Sequence, residues 1–320
     1  MGRRRVSARL LLVCAGLALV SWGTDSGARA QTDDLSPYLV VLGIAQDGGV
    51  PQAGNDFADG DSTRARRVVS LGLVDPVSGE RWLFEATPDF PEQLRHLNRT
   101  APRDDKPGLD GIFLTHAHIG HYTGLMFLGH EVMGAGGVPV YAMPRMASFL
   151  RTNGPWSQLV ALENIQLNQV SDRIAVVVNP RLFVMPLLVP HRQEFSEVIG
   201  FRIVGPNRSV LFIPDIDGWE EWDEIGVRIE DEIARVDVAY IDATFYANGE
   251  IPGRDMSDFP HPFITHSMER FSELPAAERA KVRFIHLNHT NPALWPETEA
   301  RRAIEANGFR VAEEGEVVEL

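Results

Sequence analysis

Three histidines lie within six residues in Thr115-His116-Ala117-His118-Ile119-Gly120-His121, directly after the apolar run Gly111–Leu114. Burying three imidazoles at a strand end is costly without partners. Neutral imidazole is the commonest protein metal ligand, and three protein ligands plus a water make an open catalytic site. The trio therefore predicts a metal centre. Further polar residues stand where later apolar runs end: His191 after Val189-Pro190, Asp215 after Ile213-Pro214, and both His286 and His289 after Phe284-Ile285. Any one of these could cap a helix or close a turn. Their repetition at strand ends points to loops on a rigid sheet, where sites are built.

The elements that must position them can be read from the apolar pattern. Strands are predicted at Tyr38–Gly43, Val68–Val74, Arg81–Ala86, Gly111–Thr115, Val138–Ala142, Phe183–Val189, Gly200–Val204, Ser209–Ile213, Val236–Ile241 and Val282–Leu287. Several are almost wholly apolar, as expected for strands covered on both faces. Helices are predicted at Phe90–Asn98, Tyr122–Met133, Pro144–Thr152, Trp219–Arg235, His266–Leu274 and Pro296–Asn307. No long Pro/Gly/Ser linker divides the chain, so residues 31–320 read as one domain of mixed strands and helices.

Residues 1–30 form a separate object. Arg3-Arg4-Arg5, an apolar stretch from Leu10 to Gly23 and Ala28-Arg29-Ala30 make the pattern of a secretory signal cleaved after Ala30. The apolar stretch is short for a membrane span, which needs about 20 residues. The expected mature chain is therefore exported, periplasmic or secreted, without stable membrane insertion. Its removal takes away five Arg and one Asp, so the formal net charge of −14 becomes −18. So acidic a chain repels phosphate backbones, which argues against nucleic acid and for a small-molecule substrate. Cys14 is the only cysteine, so none remains after cleavage. Any metal must then be held by His and carboxylates.

His-x-His-x-x-His after a strand, followed by one His, one Asp and one His, resembles the ordered ligand series of the metallo-β-lactamase superfamily. The similarity is greatest to the branch containing the pyrroloquinoline-quinone biosynthesis B proteins. It extends through Leu42–Gly49, Leu83–Asp89, Val189–Arg192, Ile213–Asp217 and His286–Pro292. The resemblance implies an α/β fold, an αββα sandwich of two mixed sheets flanked by helices. It implies a first metal site of His116, His118 and His191, with Asp215 as bridging carboxylate and His121 and His289 completing a second site. Asp242-Ala243-Thr244-Phe245 and His261-Pro262 resemble further active-site elements, with His261 touching substrate or donating a proton. Asp215 is the other candidate for proton handling. His286 is expected to orient a ligand by hydrogen bond, and Glu85 to hydrogen-bond the histidine loop.

Two departures bear on the chemistry. Gly120 stands where the family carries an aspartate that ligates the second metal, so that site is expected to be weakened or absent. The cysteines of a structural zinc site are replaced by Gln52, Asn55, Asp56 and Asp59, which read as a hard-cation loop or, in preference, a plain solvated one. The leading functional expectation is a metal-dependent hydrolase acting on an ester, lactone or phosphodiester. Zinc is the first choice of ion, and iron or manganese also suits imidazole with carboxylate. An iron-dependent oxidative enzyme and a non-catalytic metal- or ligand-binding protein are the alternatives. Substrate choice is expected to lie with the loops around Tyr122–Met126, Trp219–Trp222 and Phe245–Phe263.

Overall fold

The computed structural model describes residues 35–55, 57, 60 and 62–320. The expected signal segment, with Asp56 and Asp59 of the acidic loop, lies outside the described residues. Two seven-stranded sheets face each other with helices on their outer sides, an αββα sandwich. The first sheet contains β1 (Tyr38–Gly43), β2 (Ser70–Val74), β3 (Arg81–Phe84), β4 (Gly111–Phe113), β5 (Val138–Ala142) and β6 (Ile165–Gln169). The second contains β7 (Val176–Asn179), β8 (Leu182–Leu188), β9 (Ile199–Val204), β10 (Ser209–Ile213), β11 (Val238–Asp242), β12 (Val282–Ile285) and β13 (Arg310–Val311). The last strand, β14 (Val317–Glu319), returns to pair antiparallel with β1. In each sheet a parallel block adjoins an antiparallel one: β3 to β6 run parallel, as do β10 to β13.

The two-residue period of a strand explains the layers. In β1, Leu39 and Val41 face the space between the sheets, while Val40 and Leu42 lie under the outer helices. Trp82 and Phe84 of β3 likewise point inward and Leu83 outward. With both faces covered, these strands are almost wholly apolar; the buried Arg81 that opens β3 is held by hydrogen bonds to Gly108 O. Between the sheets Phe84 stacks on Phe113 at 5.1 Å and meets Phe201 edge-on at 5.3 Å. Each fully buried ring of this kind contributes about 2–3 kcal/mol through lost water contact.

The predicted strands occur within one or two residues at most ends. β6 and β7 escaped the pattern because Ile165-Gln166-Leu167-Asn168-Gln169 is polar and half-exposed and β7 is short. The expected helix Trp219–Arg235 is two helices, Trp219–Glu224 and Ile229–Ala234, parted at Gly226, whose φ of 84° only glycine adopts readily. The helix expected over Tyr122–Met133 is instead a short turn at Ile119–Tyr122 followed by a 3₁₀ segment, Thr123–Leu128. Its backbone is tied to β3's exit, Gly124 N–H donating to Ala86 O at 2.8 Å.

The site follows from this topology. Glu85, the histidine loop, Asp215, Asp242 and His286 all stand just at or beyond the carboxyl ends of β3, β4, β10, β11 and β12. That is the edge at which open α/β sheets place their ligands.

Candidate metal centre

His116 Nε2 lies 2.8 Å from His118 Nδ1, and His191 Nε2 lies 3.3 Å from that same atom. Asp215 joins them, with Oδ2 3.3 Å from His116 Nε2 and Oδ1 3.2 Å from His191 Nε2. The opposite ring nitrogens are committed elsewhere. His191 Nδ1 meets Asp217 Oδ1 at 2.7 Å, His118 Nε2 meets Glu194 Oε2 at 3.1 Å, and His116 Nδ1 meets Thr115 Oγ1 at 2.8 Å. A carboxylate only accepts, so the outward nitrogens of His118 and His191 carry the protons and their lone pairs point inward. Lone pairs crowded around one point repel unless a cation or proton sits there. Tetrahedral zinc with nitrogens at about 2.0–2.1 Å requires donors about 3.3 Å apart, so the donor set fits the ion.

Charge in the cluster is distributed unevenly. Burial disfavours a charge on His191, but Asp215 and then Asp217 outweigh it and lift the imidazole to about 9. His116 goes the other way, held well below the usual range by burial and by neighbouring His121. Burial alone would raise Asp215, yet His191 and His261 hold its carboxyl well below the usual range.

A second group brings together Asp47, His121 and His286. His121 Nε2 is 3.0 Å from Asp47 Oδ1 and 3.7 Å from Asp215 Oδ2, and His286 Nε2 is 3.8 Å from Asp47 Oδ1. Glu85 Oε1 approaches the other face of His121, 3.3 Å from Nδ1. The sequence reading passed over Asp47, which arrives because the chain beyond β1 runs alongside the end of β12. Ala45 bridges Leu287, Gln46 N–H donates to Leu287 O at 2.9 Å, and Asn288 donates to the Gln46 side chain. The available signal was Gln46-Asp47-Gly48-Gly49, a carboxylate in a turn directly after a strand.

Between these groups lies a hydrogen-bonded network. His261 Nδ1 contacts Asp242 Oδ2 at 2.9 Å, Thr244 Oγ1 donates to Asp242 Oδ1 at 2.7 Å, and His286 Nδ1 lies 2.9 Å from Thr244 Oγ1. Asp242 also accepts from Ile216 N–H, which fixes the loop carrying Asp215. Glu85 and His286 adopt the left-handed backbone region, with φ of 76° and 67°. Non-glycine residues there are uncommon and cluster at functional sites.

The structure thus gathers His116, His118, His121, His191, Asp215, Glu85, Asp242, His261 and His286. It does not bring in His289, which is half-buried three residues past His286 and takes no part in the described clusters. His286, with a φ of 67°, instead turns its Nε2 toward the second group, 3.8 Å from Asp47 Oδ1. Trp219 and Trp222 are fully buried packing residues that donate to Ser267 Oγ and Leu188 O, each at 2.9 Å. A separate surface cleft holds Arg283 and Arg301, already paired with Glu316, Glu305 and Glu313, and contains none of the site residues.

Residues 80–286 match the sequence family described as the Beta-lactamase superfamily domain. Coenzyme PQQ synthesis protein B of Methylorubrum extorquens is 25% identical over 315 residues, covering 88% of this chain and 100% of that protein. Zn(2+)-bound PqqB from Methylobacterium extorquens superposes with a TM-score of 0.73 at 22% identity, over 88% of this chain and 100% of that one. A diphosphatase from the PhnP family superposes with a TM-score of 0.62 at 21% identity, over 89% and 98%. At those identities the structural likenesses establish the shared fold.

Proposed function

The chain belongs to the beta-lactamase superfamily, and on that premise we propose that it is an exported, metal-dependent hydrolase of a small ester, lactone or phosphodiester. The observation that carries this reading is the inward convergence of His116 Nε2, His118 Nδ1 and His191 Nε2 on Asp215 at the spacing a tetrahedral cation needs. A divalent cation held there supplies a Lewis acid and lowers the pKa of a bound water to about 7. Zinc suits the donor set first, and iron or manganese also suits imidazole with carboxylate.

The chain's own residues do the rest. Asp217 and Glu194 fix the tautomers of His191 and His118, which keeps the ligand nitrogens aimed inward. Asp215 offers a carboxylate oxygen to accept a proton from the attacking water. His261, its Nδ1 engaged by Asp242, keeps Nε2 for substrate and for returning that proton to the leaving oxygen. Water adds across the ester or phosphodiester bond, one C–O or P–O bond forming as another breaks. The net acidity of the chain favours a small substrate over nucleic acid. Export rests on the pattern of residues 1–30.

The test uses protein purified without added metal, analysed for metal content, then assayed with aryl phosphodiesters, lactones and aryl esters. Substrate-dependent hydrolysis that is lost on chelation and restored by zinc is the expected result. Tightly held iron with substrate-dependent oxygen consumption would establish the oxidative alternative instead. Export is tested by cell fractionation and by sequencing the mature N-terminus, expected at Gln31.

A further inference from the structure

The histidine loop lacks a side chain at residue 120, and the structure shows what fills the place. A Cβ built on Gly120 would lie 2.3 Å from Asp47 Oδ1, 2.5 Å from Asp47 Cα and 2.8 Å from Asp47 Cβ. No side chain fits there while Asp47 is in position. Three polar atoms around the spot, Asp47 Oδ1, His121 Nε2 and His286 Nε2, are buried and make no hydrogen bond. Buried polar atoms are almost always partnered, so three facing one another signal a missing partner. An imidazolium on His121 satisfies Asp47 only in part, since the 3.0 Å approach is not directed as a hydrogen bond and His286 Nε2 remains without a partner.

We propose that Asp47, reaching in from the loop after β1, supplies the carboxylate of a second divalent-cation site with His121 and His286, and that Gly120 is glycine because Asp47 occupies its side-chain space. Asp215 Oδ2, 3.7 Å from His121 Nε2, completes the donor set and links it to the first site. Two imidazoles and two carboxylates suit zinc, manganese or iron. The expected weakening of the second site is thereby reversed: the carboxylate is present but comes from a different element. The inference rests on the metal-site reading of the His116, His118 and His191 cluster, and not on the identity of the substrate.

The purified chain is loaded with Zn²⁺, desalted and analysed for bound metal per chain, with titration calorimetry to resolve the sites. Two ions are expected for the parent protein. Asp47→Ala and the isosteric Asp47→Asn are expected to hold one, with second-site affinity down by more than about 100-fold and first-site affinity unchanged. Near-UV circular dichroism identifies variants that keep the native packing, and Asp47→Asn serves if Asp47→Ala does not. Two ions retained by both Asp47 variants, or one ion in the parent protein, would overturn the inference while leaving the first site intact. No ion in the parent protein would remove the metal-centre reading as well.

Discussion

His261 Nδ1 stands 2.9 Å from Asp242 Oδ2, and both side chains are buried. Asp242 is itself fixed by hydrogen bonds from Ile216 N–H, Thr244 N–H and Thr244 Oγ1. The imidazole is therefore held in one tautomer and one orientation beside the cluster around Asp215. Replacing His261 with Ala is expected to lower kcat by about 10²–10⁴, the range of a lost acid–base group. Asp242→Asn acts through His261, so it is expected to shift the pH profile of kcat as well as lower its maximum. Steady-state kinetics over pH 5–9 checks both, and an unchanged profile in Asp242→Asn would remove the positioning role.

Asp217 sets the orientation of His191 by a 2.7 Å contact to Nδ1. Without it the ring is free to turn and to exchange tautomers. Asp217→Ala is expected to weaken first-site metal affinity by about 10–100-fold, the usual cost of losing a ligand's orienting partner. Competition against a chromophoric chelator measures this directly. Parent-like affinity would contradict it.

The pH dependence has a definite sign. His191 and His286 are both raised from 6.5 to about 9 in the folded chain; burial opposes the charge in each case and Asp215 outweighs it. A folded-state pKa above the unfolded one means the folded state binds protons more tightly. This stabilisation is fully present below about pH 6.5 and is lost as pH rises through about 9. The metal-free chain is therefore expected to show a falling Tm between pH 7 and pH 9.5. A cation must displace the same protons, so metal affinity should rise over that range and binding at pH 7 should release protons. Calorimetry in buffers of different ionisation enthalpy reads the proton count, and a count of zero contradicts the assignment.

Phe84 ties the sheets together, stacked on Phe113 and edge-on to Phe201 and Phe212. It also ends the strand that leads into Glu85. Phe84→Ala is expected to cost about 3–5 kcal/mol, the range for emptying a packed aromatic site. Urea denaturation of the metal-free protein checks the magnitude. A loss below about 1 kcal/mol would show that the core closes around the gap.

Much of this protein can be read along the chain. A strand covered on both faces is almost wholly apolar, so β1, β4 and β10 stand out as apolar runs, as does β12 apart from Arg283, and the polar residues at their ends stand out with them. That local contrast marks His116, His118, His191 and Asp215 without knowledge of the fold. What the linear order leaves open is which of two nearby histidines faces the site. His286 and His289 follow the same strand, and only the folded chain, which sets His286 beside Asp47 and His121 and leaves His289 out of that group, selects between them. Asp47 and Gly120 are 73 positions apart; read singly, one is a turn aspartate and the other a missing ligand. Pairing of the chain after β1 with the end of β12 brings them to the same place, because backbone hydrogen bonds between distant segments, not residue spacing, decide which side chains share a volume.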